Sequence, residues 1–570
     1  MAGLAEGMEP SEISLTPAPA GELLTAAARD FGARPALNFF GREWTYAQLA
    51  RQVARMACGL QAYGVAKGTR VALLLPNTPY SVMAYYAVLQ AGGVVVNLNP
   101  LYAERELAHQ LADSGAELVI TVDLRAIYDR LCSALALGQN HIRHIVMCPF
   151  AKALPFPRNL LFPWVKRQQV ARRPYDKRAV ALSVLMGKGH APRPVPLDPV
   201  HDAAVLQYTG GTTGLPKAAT LTHANIAVNA AQCAAWFEGC RPGQERILGV
   251  LPLFHVFAMT VVMNLGVKLG AQIILLPRFD LRETVETIHR LRPTMFPAVP
   301  SIYAAINVFR GLAEYDLSSI RLCISGGAGL PGEVKRRFEQ LTGCVLVEGY
   351  GLTETAPVAA CNPLRDSGKI GSIGLALPGT VIEIVDMEDG ITVLPTGEKG
   401  EICIRGPQVM AGYWNQPEET RRALIPTPHG PRLRTGDVGY QDEDGYTFLV
   451  DRIKDLALIG GYNVYPRQVE EAIYRHPDVA ECAVAGLPDA LRGQQLKAWV
   501  VLRPGAALGR DALHDFLQSA LAPWEMPRFI EFRDALPKTL IGKISRKDLV
   551  EAELAARADK TKHNKEERAA

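Results

Sequence analysis

The sequence has little excess charge of either sign. Sixty-one basic and 57 acidic residues leave a formal charge of +4 over 570 residues. A nucleic-acid partner requires a concentrated basic surface, so none is expected. Cysteine is scattered. The ten thiols contain no CxxC, and the closest pair, Cys233 and Cys240, lacks metal-ligand spacing. This argues against a zinc ribbon or a disulfide framework and fits reduced thiols in a cytoplasmic protein. Long unbroken apolar runs are also missing. A bilayer span needs about 20 mainly apolar residues. The stretch 81–100 is interrupted by Gly92-Gly93 and ends in Asn97-Leu98-Asn99-Pro100, and 256–276 carries Asn264, Lys268 and Gln272. Each reads as a buried helix running into a buried strand. The N-terminus has early acids and no apolar core of the kind an export signal needs.

What is present is an ordinary globular mixture, 48% hydrophobic and 21% charged, in a chain too long for one compact core. Strands and helices alternate. RVALLLP (70–76), VVVNL (94–98) and ELVITV (117–122) read as strands, with helices at 81–90 and across ERELAHQLADS. AQIILL, LRETVETIHRL, TMFPAV, a helix after Ser301 and RLCISGG repeat the pattern over 270–330. Strands spaced by helices predict an α/β fold with parallel sheets. After about residue 370 the texture changes to short strands and glycine turns, a β-barrel-like part. A compact α+β segment follows 451.

The expected organisation is therefore an N-terminal domain over 1–450, a C-terminal domain over 451–555 and a polar, frayed tail over 556–570. The stretch 149–199 is rich in proline, which discourages regular structure. It carries KRQQVARRPYDKR (166–178), with six basic residues and one acid, just after Leu160, Leu161, Phe162 and Trp164. The two readings are a solvated loop and an interfacial patch for a membrane surface.

The strongest local signal is YTGGTTGLPKAATLTH (208–223). Glycines let backbone amides turn toward an anion, threonine hydroxyls add donors and Lys217 adds charge. It is a phosphate-cradling loop but not a Walker A motif, because Leu-Pro separates Gly214 from Lys217 and Ala218 follows. A glycine turn alone accounts poorly for that density of donors. In EGYGLTE (348–354), Gly349 and Gly351 flank Tyr350, whose ring can lie on a flat base, and Thr353 and Glu354 offer hard oxygens suited to Mg²⁺. Glu354 stands where a third glycine of GxGxxG would be, which disfavours a nicotinamide fold. Asp437 in TGDVG, Lys543 near the C-terminus and His255 in LFHVF read on their own as a turn carboxylate, a solvated charge and a core histidine.

Together these residues resemble the adenylate-forming superfamily, which includes acyl-CoA synthetases, aryl-CoA ligases and peptide-synthetase adenylation domains. Seven motifs follow in the family's order: the phosphate loop, LPLFHVF (251–257), SGGAGLP (325–331), EGYGLTE, LRTGDVG (433–439), DRIKDLALIGGYNVYP (451–466) and PKTLIGKISRKDL (537–549). The resemblance runs from about residue 20 to 550 and is nearest to bacterial medium- and long-chain fatty acyl-CoA synthetases.

It implies ATP, Mg²⁺ and coenzyme A as co-substrates and cofactor, and a carboxylic acid as substrate. It implies that Thr209, Gly210, Gly211, Thr212, Thr213, Gly214 and Lys217 hold phosphates, with Thr209 and Glu354 as metal contacts. Gly327, Ala328, Glu348, Gly349, Tyr350 and Gly351 would lie about the nucleotide, and Thr353 would meet the α-phosphate. Asp437 would take the ribose hydroxyls, with Arg452 in support. Asp451 would be a hinge, Gly460 and Gly461 would shape the thiol tunnel, and Lys543 would bridge carboxylate and α-phosphate during adenylation. His255 would lie beside the acid's carboxylate, where amino-acid-adenylating relatives carry an aspartate, which argues against an amino acid.

The chain departs from the family in places. Met259 stands where some long-chain members have a gating tryptophan, Arg467-Gln468 replaces a common Asn-Glu, and Leu458 replaces a lysine of some aryl-CoA ligases. Alanines 227, 230, 231, 234 and 235 form a small-residue helical face that suits either an acyl channel or close helix packing. Aryl or dicarboxylic acids, a carrier protein as acceptor, and a nucleotide-regulated peripheral membrane protein without ligase activity are the alternatives. Membrane contact through 160–178 and a homodimer stay open.

Overall fold

In the computed structural model, residues 15–171, 176–209, 216–365, 368–459, 462–489, 493–538 and 544–569 are described. The chain divides into two compact units, Met1–Ile382 with Ile404–Leu433, and Glu383–Cys403 with Arg434–Ala570.

The first unit is built on parallel β-structure. Its largest sheet has eight strands in the order Gly412–Tyr413, Ala218–Thr222, Ala203–Tyr208, Val94–Asn97, Arg70–Leu74, Leu118–Val122, His144–Cys148 and Ala179–Ala181. The six strands from Ala203–Tyr208 onward are parallel. Ala218–Thr222 runs antiparallel to Ala203–Tyr208, with Tyr208 opposite Ala218. The phosphate-loop segment thus joins two adjacent strands. Leu118–Val122 is buried at every position, as a strand covered on both faces must be. Pro79–Gln90 is apolar nearly all round and buried through Leu89, which marks a core helix.

A second set of strands contains Arg246–Gly249, Gln272–Leu275, Pro35–Phe39 and Arg42–Thr45, and a third contains Leu322–Ser325, Val345–Gly351, Val358–Cys361 and Leu375–Ala376. The strand expected at TMFPAV is reduced to isolated bridges, Met295 to Ile247 and Leu322 and Ala298 to Ser325. Pro297 between them has no N–H to donate, so a continuous ladder cannot form.

The second unit carries a five-stranded sheet containing Tyr462–Val464, Ala457–Ile459, Gly493–Leu502, Val479–Asp489 and Phe529–Phe532. Val469, Ile473, Val484, Leu496, Val500, Leu513 and Leu517 make its core with helices Pro466–Tyr474 and Arg510–Gln518.

Two expectations from proline content and polarity do not hold. The stretch 149–199 contains helices Phe150–Ala153, Arg158–Val165 and Leu182–Met186 and an edge strand, Ala179–Ala181. Pro149 and Pro157 sit just before the first two helices, where a missing N–H costs nothing. The frayed tail is instead the continuation of helix Arg546–Ala569, consistent with its content of alanine, glutamate, lysine and arginine.

Candidate active site

Strand Ala203–Tyr208 leads directly into Thr209. The Thr209 N–H donates to the Lys217 carbonyl at 2.8 Å, and its hydroxyl donates to the same oxygen at 3.3 Å. These bonds close the base of the loop, whose members Gly210, Gly211, Thr212, Thr213 and Gly214 lie outside the described residues. The Lys217 ammonium forms an ion pair with Glu419 and lies 5.5 Å from the centre of the Tyr413 ring. The Lys217 charge holds the Glu419 carboxyl below its ordinary range.

Tyr413 sits on the sheet-edge strand beside Ala219. Its hydroxyl donates to Glu354 Oε1 at 2.6 Å. Burial, followed by the Glu354 charge, raises the phenol's pKa, so the hydroxyl stays a donor. Glu354 lies on the single turn Thr353–Thr355, and its carbonyl accepts the Met410 N–H at 2.8 Å. The phosphate-loop lysine and the EGYGLTE carboxylate therefore meet at one tyrosine.

The EGYGLTE strand leaves no room for side chains at its turn. A Cβ at Gly351 would fall 1.9 Å from the Pro357 carbonyl oxygen. Glu348 is buried and accepts the Leu330 N–H at 3.1 Å, which ties this strand to the SGGAGLP loop. In that loop Gly327 has φ +81°, Ala328 is half-buried and a Cβ at Gly326 would lie 3.0 Å from the Phe257 ring. SGGAGLP thus packs against the histidine segment. His255 precedes the short helix Val256–Ala258, and its Nδ1 accepts the Phe257 N–H at 3.3 Å.

A π-helical turn, Met259–Asn264, follows and is buried throughout. Such turns are common at functional sites. Asn97 donates to Gln207 at 2.9 Å and to the Met259 sulfur at 3.4 Å, and Gln207 donates to the Phe254 carbonyl at 2.9 Å. Met259 is wholly buried. Leu73, Leu75, Tyr85, Leu253, Phe254 and Met263 line a narrow, mostly apolar cavity beside this segment. The alanine-bearing helix His223–Trp236 packs on the π-helical turn. Its polar stripe holds it in place: Asn225 donates to Val409, Asn229 to Val358 and Gln232 to Pro378, each at 2.7–2.9 Å.

In the second unit, Asp437 and Arg452 are opposite one another on paired strands, with Arg452 Nε 3.1 Å from Asp437 Oδ1. Asp451 is 3% exposed. Its carboxylate accepts the N–H of Arg452 at 2.8 Å and of Arg467 at 2.7 Å, and faces Arg546 at 3.4 Å. Burial raises its pKa, against the opposing pull of Arg546. Arg546 also makes a bidentate pair with Glu470, at 2.9 and 2.6 Å. Gly460, Gly461 and Lys543 lie outside the described residues.

Sequence reading missed Tyr413, Glu419, Glu470 and Arg546. Tyr413, Glu419 and Glu470 fall outside the quoted motifs, and Arg546, although inside PKTLIGKISRKDL, pairs with Glu470 and Asp451, far away in the chain. Among the described residues no group of three or more His, Cys, Asp or Glu could cage a metal. The chemistry of a carboxylate such as Glu354 suits Mg²⁺, which needs only one or two carboxylates and takes its other ligands from water and substrate phosphates.

Residues 24–414 match the family described as AMP-binding enzyme, and residues 468–543 match the AMP-binding enzyme C-terminal domain. The chain is 44% identical over 548 residues to a long-chain-fatty-acid–CoA ligase of Bacillus subtilis, covering 95% of this chain and 96% of that one. It is 36% identical over 541 residues to a long-chain-fatty-acid–CoA ligase of Yersinia pestis, covering 94% of each. The crystal structure of an anthranilate CoA ligase in complex with anthranoyl-AMP superposes with a TM-score of 0.83 at 27% identity, covering 97% of this chain and all of that one.

Proposed function

Because the chain belongs to the AMP-binding enzyme family, we propose that it is an ATP-dependent acid–thiol ligase that joins a medium- or long-chain fatty acid to coenzyme A through an acyl-adenylate. The observation that carries this reading is the convergence of Lys217 and Glu354 on Tyr413, which gathers a phosphate-binding cation and a metal-binding carboxylate. The likeness to long-chain-fatty-acid–CoA ligases over more than nine-tenths of the chain supports a fatty acid as the substrate.

In the first half-reaction a carboxylate oxygen attacks the α-phosphorus of ATP. The new P–O bond forms as the bond to pyrophosphate breaks, and pyrophosphate leaves. Residues 209–214 and Lys217 hold the phosphates, Thr353 meets the α-phosphate, and Lys543 neutralises the charge shared by carboxylate and α-phosphate. Positioned charge of this kind is the main requirement of phosphoryl-type transfer. Glu354 and Thr209 would hold Mg²⁺, which supplies charge neutralisation on the phosphates. Gly327, Ala328, Glu348, Gly349, Tyr350 and Gly351 form the adenine side, Asp437 takes the ribose hydroxyls with Arg452 in support, and His255 orients the acid. In the second half-reaction the coenzyme A thiolate attacks the acyl carbon and AMP leaves. Gly460 and Gly461 shape the thiol's approach. Lys543 and this glycine pair follow Asp451 in sequence yet serve different steps, which is the case for Asp451 as a pivot between them.

The protein acts in the cytoplasm, with peripheral membrane contact through 160–178. Among the described residues no helix is long and apolar enough to cross a membrane. Helix Arg158–Val165 buries none of its residues, and Trp164 is 82% exposed.

A panel of palmitate, decanoate, benzoate, anthranilate and malonate, assayed for AMP and thioester with coenzyme A, tests the proposal. Palmitate or decanoate should lead, and Lys543→Ala should cut AMP formation about 10²–10³-fold. Preference for an aryl or dicarboxylic acid would overturn the fatty-acid assignment. Absence of AMP with every acid would point to a nucleotide-binding protein without ligase activity.

A further inference from the structure

Tyr413 and Glu419 belong to none of the expected motifs, yet they connect the two anion- and cation-handling groups of the nucleotide site. The Tyr413 hydroxyl occupies one oxygen of Glu354 at 2.6 Å and leaves the other for a cation. The face of the same ring is 5.5 Å from the Lys217 ammonium, and that ammonium is paired with Glu419. The backbone fixes this arrangement. Tyr413 is paired with Ala219, two residues past Lys217. Its N–H donates to Thr420 Oγ1 at 2.9 Å, clipping the strand to helix Pro417–Ala423, which carries Glu419.

We propose that Tyr413 is a positioning residue that aims Glu354, and that Glu419 is an internal anion that holds Lys217 until a nucleotide polyphosphate displaces it. The proposal rests on reading this site as the ATP site. The side chains of Lys217 and Glu419 are 39% and 26% exposed, so their attraction is screened and readily exchanged. A polyphosphate offers Lys217 several charged oxygens in place of two. Glu419 thereby keeps the lysine extended toward the loop in the empty state and lowers ATP affinity by competing for it. Tyr413 acts on a different step. Its hydrogen bond restrains the carboxylate rotamer, so the free oxygen meets the metal–nucleotide complex without reorientation.

Calorimetric titration of the full-length protein with ATP separates the two roles, once with EDTA and once over a series of Mg²⁺ concentrations. Glu419→Gln keeps the helix and removes the competing charge. ATP should bind about two- to fivefold more tightly in EDTA, the span expected for an exposed pair. Tyr413→Phe keeps the ring and removes the hydroxyl. ATP affinity in EDTA should hold, while the Mg²⁺ concentration giving half-maximal enhancement of binding rises about tenfold, as for a lost hydrogen bond to a charged group. A purely structural role would lower thermal stability and leave both quantities alone. Unchanged or weaker ATP binding by Glu419→Gln overturns the latch, and parental Mg²⁺ dependence in Tyr413→Phe overturns the positioning role. If the parental protein binds no ATP, the site assignment itself fails, an outcome distinct from either.

Discussion

His223 shows how far a buried residue's setting departs from its sequence context. It opens the helix after the phosphate loop and is 1% exposed, with Nδ1 accepting the Ala20 N–H at 3.2 Å. Burial lowers its pKa to about 4; Asp202 opposes the shift and Lys67 adds to it. The unfolded chain takes up this proton near the ordinary value of about 6.5. Above pH 6.5 both states are neutral and the histidine's full contribution is present. As pH falls from 6.5 toward 4 the unfolded state protonates first, and about 3 kcal/mol is lost. His223→Asn can retain the Nδ1-type acceptor without the titration. Urea unfolding at pH 7 and pH 4.5 should show a smaller acid-induced loss for the variant than for the parent; equal losses would remove His223 from the account.

Legibility at this scale follows chain distance. Glu354, Tyr350 and Lys217 declare themselves within short motifs. Tyr413 lies 59 residues from Glu354 and Glu419 lies 202 from Lys217, so only folding joins them. Asp451 reads as a hinge from its place in the motif, while its burial and its bonds to Arg467 and Arg546 depend on segments far along the chain.

Elements with a clear period are the ones the sequence makes plain. The buried runs Arg70–Leu74, Val94–Asn97 and Leu118–Val122 and the amphipathic helix Leu281–Leu291 stand where their patterns put them. TMFPAV has the apolar content of a strand, but Pro297 breaks its ladder. The proline-rich stretch hides a helix, because proline before a helix start favours the helix that follows. That helix, Arg158–Val165, bears on membrane contact. Phe162 packs on Phe150 with ring centres 5.2 Å apart, while Leu160, Leu161, Trp164 and Val165 are exposed beside Lys166 and Arg167. Aromatic, aliphatic and basic residues together suit the headgroup boundary. Co-sedimentation with phosphatidylglycerol–phosphatidylcholine vesicles separates the contributions. Leu161→Ser with Trp164→Ser should reduce binding at least about tenfold in high salt, where apolar burial dominates. Lys166→Gln with Arg167→Gln should reduce it mainly in low salt, at about 1 kcal/mol per charge. Turnover of a short soluble acid should stay at the parental rate in both. Unchanged sedimentation of both variants would return the segment to a solvated surface.

At the scale of the whole molecule, the order of the seven motifs already implied one chemistry, and the fold divides their residues between two units. The parallel strand ending at Tyr208, the strand ending at Gly351 and the edge strand bearing Tyr413 belong to the first unit. Asp437 and Arg452, with the segment leading to Lys543, belong to the second. The central claim is that a carboxylate oxygen becomes bonded to the α-phosphorus before the thiol attacks. Incubating the protein with palmitate labelled with ¹⁸O in both carboxylate oxygens, ATP, Mg²⁺ and coenzyme A, followed by mass spectrometry of the nucleotide product, tests it directly. The predicted result is AMP carrying one ¹⁸O atom per molecule, formed in equal amount with palmitoyl-CoA and with unlabelled pyrophosphate. Label in inorganic phosphate with ADP as the nucleotide product, or unlabelled AMP, would contradict the acyl-adenylate route.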